Sequence, residues 1–289
     1  MGNVLAVIGG SGLYSVDDMT DIDEVHVDTP FGAPSDAVIR GRLRDSGAPM
    51  MFLPRHGRGH RHSPSEINYR ANICALKKLG ATHVLSVSAV GSMKEEIAPG
   101  DLVVVDQFID LTKRRVSTYF EDGIAGHVPF ADPVCPILAN ATYEAAKATG
   151  ARTHKGGTYV CIEGPQFSTR AESLVYRSWG VSVIGMTNMP EAKLAREAEL
   201  PYATLALSTD YDCWHHSEEA VTVEMVVATL MKNVKFAREV AKRLAANLPD
   251  VSNSIAKGAV QNAVMTAPEK IPPATKDRLS WLLDLEKSA

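Results

Sequence analysis

The chain has 289 residues, 45% hydrophobic and 22% charged, with a formal net charge of −4. A chain of this length buries enough surface to hold a core without disulfides or metal, and its composition excludes a disordered protein. The near balance of 30 Lys and Arg against 34 Asp and Glu excludes a global field for nucleic acid. No apolar run reaches the roughly 18 residues of a membrane span.

In chain order, residues 4–8 read as a buried strand that ends in the glycine turn GGSG at 9–12. Met1 runs straight into VLAVIGG with no basic segment or cleavage site, so a cytoplasmic protein is expected. Residues 37–43 and 50–53 flank a Asp45-Ser46-Gly47 turn and predict a hairpin. Residues 65–79 predict a helix, capped by Ser65 and closed by Gly80. The apolar runs 83–87 and 102–105 have buried-strand length. Helices are expected over 136–149, 169–179 and 190–199, with strands at 158–162, 181–186 and 202–207. The longest helix spans 221–248 and carries Val223, Val226, Val227, Leu230 and Val234 on one apolar face.

Alternating β and α segments with continuous apolar strands predict an α/β fold on a mostly parallel buried sheet. Beyond Pro249 the texture turns to Ser, Ala and Pro before a short helix at 275–287. The expected organisation is one domain over 1–249 and a C-terminal extension over 250–289. Cys74, Cys135, Cys161 and Cys213 form no C-x-x-C pair, so no zinc ribbon or redox motif is present.

Four strand ends carry residues suited to chemistry. The turn at 9–12 fails the dinucleotide fingerprint because Ser15 stands where a third glycine or alanine belongs. It still offers backbone N–H groups and the Ser11 hydroxyl to an anion. RHGRGHRH at 55–62 packs three Arg and three His into eight residues. As a metal site it lacks cysteine and has only Glu66 nearby, whereas Arg55 at a strand end can grip a phosphate-sized anion. SVSAVGS at 86–92 leaves a buried strand into hydroxyl and small residues. Asp210 and Asp212 in TDYDCW follow an apolar strand, and desolvation there suits a general acid. Phe167 and Met186 lie at further strand ends, the phenyl ring being able to stack on a planar group. A phosphate grip, an acid and an aromatic platform fit displacement of a heterocyclic base by phosphate, and they fit a phosphosugar enzyme as well.

The blocks IGGSGLY, DTPFGAPSD, RHGRGH, NYRANICALK, SAVGSMKEEIAPGD, DQFIDLT, IEGPQFSTRAES, GMTNMPEAKLA and STDYDCW occur in order between about residues 4 and 248. Together they resemble the 5′-methylthioadenosine phosphorylase family of the trimeric purine nucleoside phosphorylase superfamily. The resemblance implies a single-domain phosphorylase-type fold, a mixed, largely parallel sheet flanked by helices. It implies a pentosyltransferase of purine and methionine salvage that converts methylthioadenosine and phosphate to adenine and 5-methylthioribose 1-phosphate. No metal or organic cofactor is implied, phosphate being the co-substrate. By the same resemblance Ser11, Arg55, His56, Ser88, Ala89 and Thr187 would surround phosphate, and Met186 would lie against the ribose. Asp210, the catalytic residue, and Asp212 would face the purine N7 and 6-amino edge, with Phe167 and Ser168 lining the base pocket. Val223, Val226 and Val227 would receive the methylthio group. His127 would reach a neighbour's site in a trimer or a pair of trimers.

Some positions depart from the family pattern. Ser11 and Ser88 stand where many relatives carry Thr, and Gln166 stands where Arg is frequent. The rivals are a 6-oxopurine phosphorylase, acting on inosine, guanosine or methylthioinosine, and a nucleoside-binding regulator without turnover. Two aspartates suit a 6-amino base, because carboxylates repel a carbonyl.

Overall fold

The computed structural model describes residues 2–10, 13, 18–215 and 223–283, the side chains of 223–228 excepted. The strands are β1 Leu5–Gly9, β2 Met19–Val25, β3 Val38–Leu43, β4 Pro49–Pro54, β5 His83–Ser92 and β6 Leu102–Val105. They continue as β7 Gln107–Asp110, β8 Thr153–Lys155, β9 Thr158–Cys161, β10 Val183–Gly185 and β11 Tyr202–Asp210. The helices are α1 Tyr69–Lys78, α2 Pro136–Lys147, α3 Arg170–Ser178, α4 Asn188–Glu197, α5 Val223–Ala246 and α6 Pro273–Leu279.

One mixed sheet holds these strands, and most of its pairings are parallel, as the continuous apolar runs predict. Its side chains alternate between two cores because successive residues of a strand face opposite ways. Ala6, Ile8, Val84 and Tyr202 pack with Ile73 of α1 and Leu194 of α4. Leu5, Val7, Leu85 and Ala203 pack on the other face with Leu138 of α2 and Val240 of α5. The sheet is thus covered on both faces.

β5 organises the site. On one edge it runs parallel to β11 from Val84 to Gly91. On the other edge β1 pairs only residues 83–86, and antiparallel β10 takes over at Gly91 and Ser92. Between them residues 87–90 have no strand partner on that edge among the described residues, and all four line a cavity there.

Several boundaries differ from the sequence expectation. β5 continues to Ser92, so Ser88 and Ala89 lie within a strand instead of a loop. Helix α1 starts at Tyr69, not near Ser65, because Asn68 is its cap and accepts the Ala71 N–H. β2, β7 and β8 are short or polar and carry no apolar run. Beyond Pro249, helix α6 begins at Pro273 and ends at Leu279, and residues 284–287 of the predicted helix lie outside the described residues. Residues beyond 249 pack on the rest of the chain, with Trp281 edge-on to the fully buried Tyr119 at 5.0 Å and to Phe31 at 6.2 Å.

Candidate active site

The cavity has a volume of about 350 Å³ and gathers the ends of β1, β4, β5, β9, β10 and β11. Arg55, His56, Ser88, Ala89 and Thr187 line one end of the predicted set. Phe167, Ser168, Met186, Asp210 and Asp212 line it as well. Ser11 lies outside the described residues, as do the side chains of Val223, Val226 and Val227. Leu230 and Val234, further along α5, reach the cavity. His127 is exposed and does not line it.

At the β4 end, Arg55 is buried and its fork is already occupied. Nε donates to Glu191 Oε2 at 2.8 Å, and Nη2 donates to Glu191 Oε1 at 3.1 Å and Ser86 Oγ at 2.6 Å. Nη1 donates to the Val87 carbonyl at 2.9 Å. The two-pronged grip that the sequence suggested for phosphate is therefore made on Glu191, and one Nη1 hydrogen is without a protein acceptor among the described residues.

Beside it, His56 Nδ1 donates to the His62 carbonyl at 2.9 Å, and its ring stacks on His60 at 4.1 Å. Burial pushes the His56 pKa down to about 4, with the Arg55 charge adding to the fall against the His62 carbonyl. The ring is neutral at neutral pH. Ser88 Oγ lies 3.1 Å from Thr187 Oγ1 and 3.2 Å from Tyr159 OH, a cluster of buried hydroxyls. The Ser88 and Thr187 hydroxyls can donate to an anion, whereas the neutral His56 ring has its one N–H held by the His62 carbonyl.

The other end is acidic. β11 runs through to Asp210, and Gly91 lies opposite it in register. A Cβ on Gly91 would stand 3.0 Å from Asp210 Oδ1 and 3.2 Å from the Asp212 Cβ, so glycine lets the acidic turn close over β5. Thr209 Oγ1 donates to Asp210 Oδ2 at 2.7 Å, and Ser173 Oγ of α3 donates to Asp212 Oδ2. Burial raises the pKa of Asp210, and the Asp212 charge adds to it, against the Thr209 hydroxyl and the Asp212 N–H. Burial likewise raises that of Asp212, opposed by the Ser173 hydroxyl and the Cys213 N–H. Ser168 Oγ is buried with no hydrogen-bond partner among the described residues, whereas Phe167 is 72% exposed at the rim.

A buried guanidinium joins the walls. Arg115 Nη1 donates to the carbonyls of Met186 and Met189, each at 2.6 Å, and Nη2 donates to the Glu163 carbonyl at 2.7 Å. The segment before Phe167 and the segment around Thr187 are thus pinned to one side chain. Neither Arg115, Glu191 nor Ser173 carries a local sequence signal, because their partners lie far away in the chain. No group of three or more His, Cys, Asp or Glu suited to a metal occurs among the described residues.

This fold and cavity have counterparts. The chain belongs to the phosphorylase superfamily, whose family model matches residues 4–246. Within it the chain belongs with the S-methyl-5′-thioadenosine phosphorylases. It is 52% identical to the one from Geobacter sulfurreducens over 284 residues, which span 98% of this chain and 99% of that protein. It is 54% identical to the one from Thermosynechococcus vestitus over 96% of this chain and 97% of the relative. A crystal structure of methylthioadenosine phosphorylase from an antarctic soil metagenomic library superposes with a TM-score of 0.90 at 50% identity, covering 96% and 98% of the two chains. The Schistosoma mansoni methylthioadenosine phosphorylase in complex with adenine gives 0.85 at 36% identity, over 91% and 99%.

Proposed function

We propose that the protein is an S-methyl-5′-thioadenosine phosphorylase that converts methylthioadenosine and phosphate to adenine and 5-methylthioribose 1-phosphate. The observation that carries this is the division of one cavity into a hydroxyl-lined end at Ser88 and Thr187 and an acidic end at Asp210 and Asp212. In this reading the C1′–N9 bond loosens toward an oxocarbenium-like state. Asp210, whose raised pKa favours the protonated form, hydrogen-bonds N7 and neutralises the departing adenine. Phosphate, held near C1′ by Ser88, Thr187 and Arg55 with the His56 and Ala89 backbone, attacks and stabilises the positive charge. Ser11 joins this group, and Met186 supports the ribose. Asp212 and Ser168 read the 6-amino edge, and Phe167 covers the ring. The scheme needs phosphate as co-substrate and calls for no organic cofactor or metal.

The wider setting belongs to the same proposal. Val223, Val226 and Val227 receive the methylthio group, next to Leu230 and Val234. His127 completes the cavity of a neighbouring copy in a trimer, and its exposure is consistent with that role. Residues 1–249 form the catalytic domain and 250–289 an extension. Among the described residues no helix is long and apolar enough to cross a membrane, and we place the enzyme in the cytoplasm.

Two aspartates opposite the base favour a 6-amino purine over inosine or guanosine. The deciding experiment is release of free base, with and without phosphate, from methylthioadenosine, adenosine and inosine. Phosphate-dependent adenine release, fastest from methylthioadenosine, is expected. Equal rates without phosphate identify a hydrolase and overturn the proposal.

A further inference from the structure

We propose that Glu191 sets the electrostatic level of the phosphate end, cancelling the charge of Arg55 so that phosphate is held weakly at rest and tightly only when positive charge develops on the sugar. This rests on the phosphorolysis reading of the cavity and deepens it.

Glu191 lies in the first turn of α4 and is fully buried, as is its partner Arg55 at 2% exposure. Beyond the two bonds from Arg55, its Oε1 accepts the Ser86 hydroxyl at 2.6 Å and the Tyr202 hydroxyl at 3.0 Å. Asn188 Nδ2 donates in turn to Tyr202 OH at 2.8 Å, closing the network behind the cavity wall. Arg55, Ser86 and Tyr202 all donate to this one carboxylate. Isolated buried charges are strongly unfavourable, so Arg55 needs Glu191 in order to be buried at all.

The consequence falls on the ligand. The guanidinium keeps one Nη1 hydrogen for an anion, and the pair to which it belongs carries no net charge. Among the described residues the other side-chain donors at this end, Ser88 and Thr187, are neutral hydroxyls. An uncompensated Arg55 would bind phosphate tightly in the ground state as well as in the transition state. Such uniform binding lowers KM without raising kcat. With Arg55 neutralised, the countercharge that phosphate lacks is the cation forming at C1′, an attraction that exists only along the reaction path. Glu191 touches no substrate in this scheme and acts through Arg55, as a positioning residue.

The test compares Glu191→Gln, Glu191→Asp and Ser86→Ala by phosphate KM and kcat with methylthioadenosine. Calorimetric Kd for inorganic phosphate alone is measured beside them, with circular dichroism to check folding. Glu191→Gln should tighten the phosphate Kd about five-fold or more and lower the phosphate KM with it, without raising kcat. Glu191→Asp, which keeps the charge, should bring the Kd back toward wild type. Ser86→Ala disturbs the same network without changing charge and should leave the Kd within about two-fold. Weaker phosphate binding in folded Glu191→Gln, or equal tightening in Ser86→Ala, overturns the proposal in favour of simple bracing. Should Glu191→Gln not fold, the wild-type protein decides. A pyrrolidinium sugar mimic must then tighten phosphate about ten-fold more than its neutral tetrahydrofuran counterpart, and equal tightening overturns the idea. Absence of phosphate-dependent turnover in the wild type overturns the phosphorolysis reading instead, so the two failures are separable.

Discussion

The Asp212 backbone N–H donates to Asp210 Oδ1 at 2.8 Å, so the second aspartate of the pair holds the first. A φ of 53° at Asp212 puts its backbone in the left-handed region, and its own carboxylate is received by Ser173. Two carboxylates in one partly buried pocket resist double ionisation, and Asp210 is the one whose pKa also rises through its neighbour's charge.

Replacing Asp210 by Asn should cost about 10²–10⁴ in kcat for adenine release. The same change removes a half-buried acid whose pKa is raised above the ordinary 3.8. Such an acid favours the fold while protonated, and that contribution is lost as pH rises through its folded pKa. Asp210→Asn should therefore gain melting temperature relative to wild type at pH 7 but not in strong acid. Thermal melts at both pH values check the sign, and a loss confined to neutral pH would contradict it.

Ser168→Ala removes a buried hydroxyl that lacks a partner in the free protein. The variant should be as stable as wild type or up to about 1 kcal/mol more stable, while the nucleoside KM rises. Denaturant titration and initial rates measure the two halves separately. Loss of stability with unchanged KM would show that the hydroxyl serves the fold.

Arg115→Met should cost about 3 kcal/mol, because three carbonyls lose a charged donor in a buried place. Activity should fall even where the variant remains folded, since the Met186 and Glu163 segments are no longer tied together. A kcat/KM within two-fold of wild type, roughly, would remove Arg115 from the supporting structure of the site.

Glu197, buried at the end of α4, accepts the Tyr119 N–H and the Thr118 hydroxyl, and burial raises its pKa from 4.5 to about 7. Its contribution is full below the unfolded value of 4.5 and is lost progressively as pH climbs to about 7. Glu197→Gln should flatten that decline in melting temperature. Parallel pH-melting curves for the two proteins would refute it.

Trp281→Ala should destabilise by about 2–3 kcal/mol, less than a fully buried tryptophan, because the ring is half-buried. Tyr119 would lose its edge-on partner, and the segment tied to the extension through Gly126 and Val264 should gain amide exchange. Unchanged protection there would mean that Trp281 does not hold this segment in place.

The parts legible in the sequence are those that repeat or punctuate. The apolar runs of β1, β5, β6 and β11 were readable, as was Asp210 at a strand end. Arg55 was readable as a cation at a strand end but not as half of a buried pair, since Glu191 lies 136 residues away. β7 and β8 take their hydrogen bonds from neighbours that only the folded sheet supplies. The start of α1 was misplaced because Asn68, not the more obvious Ser65, finds a helix N–H to cap. Contact between distant segments is what a linear pattern lacks.

The pairing of β5 with β11 sets Ala89 opposite Leu207 and Gly91 opposite Asp210. In the proposed reaction this one ladder is a ruler laid along the scissile bond, with the attacking oxygen's seat and the proton donor as its two marks. The interval between them is set by the strand register, including its irregularity between Ser208 and Asp210. A single-residue deletion in β11 would displace one mark against the other by a strand step of about 3.3 Å, leaving both groups chemically intact and unable to work on the same molecule.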